Sequence, residues 1–146
     1  MTVEELHRLI VRRWGEARAA VGIPEVDMVW EIGPYPHFRT ARGYAVAISN
    51  GDDTYRLRLA RKILDAPRHR VEGLLRHELG HMVDYVVPRK RLDAWGRSRA
   101  VPLAATDERR ADDIARAVWG EPIRYDDDLV QSTRHGVSPR PEHLGL

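Results

Sequence analysis

Apolar side chains recur along this chain with two alternating periods, and the changes of period mark out its elements. Val3, Leu6, Ile10, Trp14, Ala17 and Val21 repeat every three to four residues, which predicts a helix with one buried stripe. Thr2-Val3-Glu4-Glu5 forms a capping box at its start and Gly22 supplies the stop. The period then drops to two. Met28, Trp30 and Ile32 predict a short strand ended by Gly33-Pro34-Tyr35-Pro36. Tyr44, Val46 and Ile48 alternate before a turn opened by Asn50-Gly51, and Tyr55, Leu57 and Leu59 alternate after it, which predicts a hairpin.

The helical period returns between Pro67 and Val86, where Val71, Leu75, Leu79, Met82 and Val86 form one stripe, Asp65 is available as N-cap and Pro88 lies just beyond the end. A last helix is predicted over Asp107 to Val118, with Thr106 as cap, Ala111, Ala115 and Val118 as apolar stripe and Gly120 as stop. From Glu121 onward proline, glycine and acidic residues replace periodicity, so 121–146 reads as a mostly irregular C-terminal segment. No internal repeat is visible. A length of 146 residues fits a single domain, 1–146, large enough for one core without covalent staples.

The second helix carries His77-Glu78-Leu79-Gly80-His81. Residues four apart lie one turn apart on nearly the same face, so both imidazoles can reach one metal ion while Glu78 flanks it. At about 100° per residue the two histidines fall opposite the apolar stripe, which makes one face core and the other the metal face. Gly73, one turn earlier on the histidine face, leaves open space beside the metal. Catalytic zinc takes three protein ligands and keeps the fourth position for water, so a third ligand is needed. Asp84 lies one turn beyond His81 and suits a hydrogen-bonding or surface role better. His135 and His143 sit in the irregular segment. Glu108 is the strongest candidate: it projects from the edge of the last helix's apolar stripe, while Arg109 and Arg110 point away from it, and a carboxylate turned toward a core needs a partner or a metal. Asp112, one turn later, points the same way and suits acceptance of the second N–H of a metal-bound imidazole.

In these residues the chain resembles the gluzincins, zinc peptidases with H-E-x-x-H on one helix and E-x-x-x-D on a later one. The resemblance implies His77, His81 and Glu108 as zinc ligands, Glu78 as general base and Asp112 as the support of a liganding histidine. The order of elements is similar to the minigluzincins and to the SprT-like and ImmA/IrrE-like metallopeptidases, with Glu108-Arg109-Arg110-Ala111-Asp112-Asp113-Ile114-Ala115 most like the last group. The resemblance covers about residues 26 to 120. It implies an α+β, minimal zincin-like domain: an N-terminal helix, a small, mostly antiparallel sheet with an edge strand, a metal-binding helix and a third-ligand helix. The metzincin pattern is not followed, since Asp84 and Val87 stand where glycine and histidine belong, and no zinc-ribbon tail is recognisable.

The expected reaction is hydrolysis of a peptide bond by metal-activated water, with Zn²⁺ as cofactor and a peptide or protein substrate lying along the strand before the metal helix, Tyr55 to Ala60. Arg56 and Arg58 on that strand also serve to protect an edge. Tyr125 or His135 could supply the donor that stabilises the oxyanion. Two other readings stay open. One is a non-catalytic zinc-binding regulatory or interaction module, closed by His135 or His143; the other is a latent enzyme whose tail, with Glu142 and His143, occupies the cleft.

Composition adds bounds. There is no cysteine, hence no disulfide and no thiolate ligand, and with no apolar leader-like segment at the start a cytoplasmic location and a monomer are expected. No run is long enough to span a bilayer. Net charge is +2 and 22 of the 24 basic residues are arginine, which suits phosphate contacts but equally follows genome composition, so nucleic acid is not the favoured partner.

Overall fold

The computed structural model describes residues 1–34 and 44–120; Tyr125, His135, Glu142, His143 and the rest of 121–146 lie outside them. The chain is α+β, with helices α1 (Val3–Val21), α2 (Arg68–Val86), α3 (Arg89–Ser98) and α4 (Asp107–Trp119) around strands β1 (Asp27–Gly33), β2 (Ala45–Ser49) and β3 (Thr54–Ala60).

α1 forms for local reasons. The Thr2 hydroxyl accepts from the Glu5 amide and the Glu5 carboxylate accepts from the Thr2 amide, both at 3.1 Å, and Gly22 closes the helix in the left-handed region at φ 77°. Its stripe of Leu6, Leu9, Ile10, Trp14, Ala17 and Val21 is buried, each large member contributing about 1.5–3 kcal/mol. α3, which the periodicity did not announce, docks on the C-terminal end of α1. Trp95 Nε1 donates to the Ala20 carbonyl at 3.0 Å and Arg91 to the carbonyls of Val21 and Gly22, each at 3.0 Å. Arginine beside those last carbonyls also complements the negative end of the helix dipole.

The sheet order is β1-β3-β2, with β1 parallel and β2 antiparallel to β3. Two expectations are corrected here. The sheet is mixed rather than mostly antiparallel, and Tyr55 to Ala60 is its central strand rather than its edge. Arg56 and Arg58 therefore do not guard an edge. Both reach Glu31 on β1, at 3.3 Å and 2.8 Å, as cross-strand ion pairs.

The hairpin register is also not the one the alternation suggests. Val46 pairs with Arg58 and Ile48 with Arg56, so Ala45, Ala47 and Ser49 share the face of Leu59, Leu57 and Tyr55. The larger side chains, Val46 and Ile48, are buried on the opposite face. Small residues on the inner face let α2 come close to β2, and a one-residue change in register would exchange them for valine and isoleucine.

α2 begins at Arg68 behind Pro67, not at a cap made by Asp65, which belongs to a short 3-10 turn, Arg61–Asp65. Its middle is buried on all sides. The expected division into core face and open histidine face gives way to a helix with the sheet on one side and α4 on the other; Arg76, Glu78 and both histidines are buried along with Leu75, Leu79 and Met82.

α2 meets α4 at Gly80, where a Cβ would run into the Ala111 carbonyl oxygen. Backbone meets backbone there. Gly80→Ala must push the two helices apart, and a loss of about 1–3 kcal/mol is expected in chemical denaturation of the metal-free protein.

Candidate metal centre

Three side chains from two helices converge. His77 and His81, one turn apart on α2, place their Nε2 atoms 3.1 Å from each other. Glu108, from the first turn of α4, brings one oxygen to 3.0 Å from His77 Nε2 and the other to 3.2 Å from His81 Nε2. Both histidines are buried, and the Glu108 side chain keeps 21% of its surface open to solvent.

Such a group could hold a metal ion. Donors around a tetrahedral ion with bonds of about 2.0–2.1 Å lie about 3.3 Å apart, close to all three observed spacings. The orientation of His77 supports the same conclusion. Its Nδ1 lies 2.7 Å from Asp112 Oδ1, an arrangement that places the proton on Nδ1 in the neutral ring and turns the Nε2 lone pair toward His81 and Glu108.

Glu78 flanks the group without joining it. Its Oε2 accepts a hydrogen bond from the Ala47 amide at 3.0 Å, and its Oε1 lies 3.9 Å from His77 Nε2. Ala47 is where the hairpin register acts on the site. The bonds from Ala60 N to Tyr44 O and from Asn50 N to Thr54 O fix Tyr44, Val46, Ile48 and Asn50 as the positions bonded to β3. Ala45, Ala47 and Ser49 then direct their backbone groups outward along the β2 edge. The outward carbonyl of Ala47 accepts from the Tyr85 hydroxyl at 3.3 Å, and the Tyr85 ring lies roughly parallel to that of His81 with centroids 6.4 Å apart.

The sequence-predicted residues His77, Glu78, His81, Glu108 and Asp112 are thus brought together, and Gly73 is buried on the same helix. Asp84 stands apart from them, bonded to Arg110 at 2.9 Å, which fits the hydrogen-bonding role expected of it. Arg110 was expected only to point away from Glu108. It does turn away from Glu108, but into the interior, where it is fully buried. Ala47 and Tyr85 were not anticipated. For Tyr85 the signal was present: it lies one turn beyond His81 on the same face. Ala47 acts through its backbone and left no side-chain signal.

Burial sets the electrostatics. It penalises the charged form of His77, but hydrogen bonds to Asp112 and Glu108 and the nearby Glu78 outweigh that cost and raise its pKa from 6.5 to about 10. For Glu78 burial dominates, pushing the carboxyl from 4.5 up to about 7 despite both histidines. Burial would raise Glu108 as well, but its bonds to His77 and His81 hold it well below the usual carboxylate range.

Compared with protein-family models, with curated proteins and with solved structures, the chain matches none. No helix among the described residues is long and apolar enough to cross a membrane.

A pH dependence follows for the metal-free protein. Between pH 4.5 and about 7 the folded state retains the Glu78 proton that the unfolded state has released, and between 6.5 and about 10 it retains that of His77. In both windows the folded state binds more protons, so each group lowers stability as pH rises. A metal ion held by His77 would displace that proton and so would have the opposite pH dependence. The gap in melting temperature between zinc-loaded and metal-free protein is expected to widen from pH 6 to pH 9; a constant gap would contradict the assignment of His77 as a ligand.

Proposed function

We propose that this chain is a zinc-dependent metallopeptidase of gluzincin type, with a zincin-like fold, His77, His81 and Glu108 as ligands and Glu78 as general base. One observation carries the reading: two imidazoles and a carboxylate from separate helices meet at ligand spacing, with a second, differently held carboxyl buried beside them. Nitrogen and oxygen donors in this number suit zinc. A structural site takes four protein ligands; the described residues contribute three, and His135 and His143, which the non-catalytic reading needs as a fourth, lie outside them.

The ion, when bound, supplies Lewis acidity that acidifies water and polarises a carbonyl. The chain supplies the rest. Asp112 fixes the ring of His77 and its tautomer. Ala47 holds one oxygen of Glu78, so the other is the one available on the histidine side. From that position Glu78 can take a proton from water and pass it to the leaving amine. An extended substrate fits the border strand β2 rather than β3, since β3 is paired with a neighbouring strand on both sides.

Glu78→Gln should keep zinc and lose about 10²–10⁴-fold in cleavage of an unstructured peptide mixture. Zinc retention with a wild-type rate would rule out the general-base role. Asp112→Asn should weaken zinc binding about 10–100-fold, measured by competition with a chelating dye. Glu108→Ala with undiminished zinc content would remove the third ligand from the proposal.

A further inference from the structure

Arg110 is the largest of the fully buried side chains among the described residues, and every nitrogen of its guanidinium makes a hydrogen bond. Nε donates to Asp84 on α2 at 2.9 Å, one terminal nitrogen to Asp93 on α3 at 2.7 Å, and the other to the Ala104 carbonyl ahead of α4 at 3.1 Å. Three segments are joined through one side chain.

Stability alone gives little reason for such a residue. Taking Arg110 and the largely buried Asp84 carboxylate out of water costs several kcal/mol per ion, and apolar residues of similar volume often serve folding equally well. What an arginine fork adds is direction. Glu108 and Asp112 lie about 40° apart around α4, so the Asp112 to His77 bond and the Glu108 contacts hold the same flank. Arg110 leaves the helix about 200° from Glu108 and returns to α2 at Asp84, one turn beyond His81. Opposite flanks of α4 are therefore tied to the same helix. Without the second tie α4 can roll against Gly80. A roll of about 20° moves a side-chain atom about 2 Å at helix-surface radius, ten times the roughly 0.2 Å tolerance of a metal bond.

We propose that Arg110, through Asp84, is the positioning residue of the metal centre, setting the roll of α4 that brings Glu108 to His77 and His81, whereas its branch to Asp93 only anchors α3. The inference rests on those three residues being the metal ligands. The two can be told apart by titrating the wild-type chain with Zn²⁺ first: no uptake removes the metal centre itself, and uptake leaves Arg110 to be tested.

The test compares Arg110→Lys, Asp84→Asn and Asp93→Asn by zinc affinity against a chelating dye, by the absorption spectrum of the Co²⁺-substituted protein, and by chemical denaturation without metal. Arg110→Lys keeps the charge but not the fork, and it and Asp84→Asn should each bind zinc about tenfold or more weakly, with an altered Co²⁺ spectrum. Asp93→Asn should lower metal-free stability and leave affinity and spectrum as in the wild type. If Arg110→Lys does not fold, Asp84→Asn decides, because it leaves the Arg110 to Asp93 pair in place. Wild-type affinity in Asp84→Asn, or equal losses of affinity in Asp84→Asn and Asp93→Asn, would overturn the proposal.

Discussion

The candidate metal centre depends on the contact between Gly80 and the Ala111 backbone. Any side chain at position 80 would meet the Ala111 carbonyl, so only glycine lets α4 lie this close to α2. Glycine inside a helix costs about 1 kcal/mol relative to alanine, and here close packing offsets it. Glu108 lies one turn before Ala111 and Asp112 directly follows it, so the same approach brings one carboxylate to the Nε2 atoms and another to the Nδ1 of His77. Gly80 occupies an unrestricted position of the H-E-x-x-H pattern. In this chain packing restricts it nearly as firmly as chemistry restricts its neighbours.

Close approach also makes the centre a set of ionisable groups with little water, and its protonation is collective. Hydrogen bonds to Asp112 and Glu108 favour the charged form of His77, while burial pushes Glu78 toward neutrality. A cation bound among the Nε2 atoms and Glu108 takes over the work of the His77 proton, balancing the same carboxylates. The residues that would hold the ion are thus the ones that compensate one another without it.

How much of this was legible in the sequence divides along local and non-local lines. The capping box and apolar stripe of α1 are near-neighbour features and were read to the Gly22 stop, except that Val3 is exposed and Leu9 joins the buried stripe. Glu108 and Asp112 were found because a carboxylate at the edge of an apolar stripe requires an explanation. The turn at Asn50-Gly51 was equally visible, but the register it sets was not. Ala45 and Ala47 look like the weaker face of their strand and become the inner one because α2 packs there. The order β1-β3-β2 depends on a parallel pairing between segments far apart in the chain, which alternation cannot reveal. α3 is short and strongly basic, and its docking onto the end of α1 supplies what its periodicity lacks. The burial of Arg110 was not legible for a related reason: the partners that make it tolerable come from two other helices.

Glu78 shows why the pentapeptide is not sufficient by itself. A carboxyl buried to this degree needs a donor, and the helix that carries it has no spare N–H in mid-span to offer. The Ala47 amide can serve because β2 is an edge strand with outward-facing groups at that position, and because a methyl side chain lets α2 come within reach. Had β3 been the edge, as the strand nearest the metal helix in sequence, β2 would have spent both sides of its backbone on neighbouring strands and the amide would have been taken. The placement of β2 at the border of the sheet among the described residues thus satisfies the buried carboxyl through a backbone group that a central strand would have spent on its neighbour.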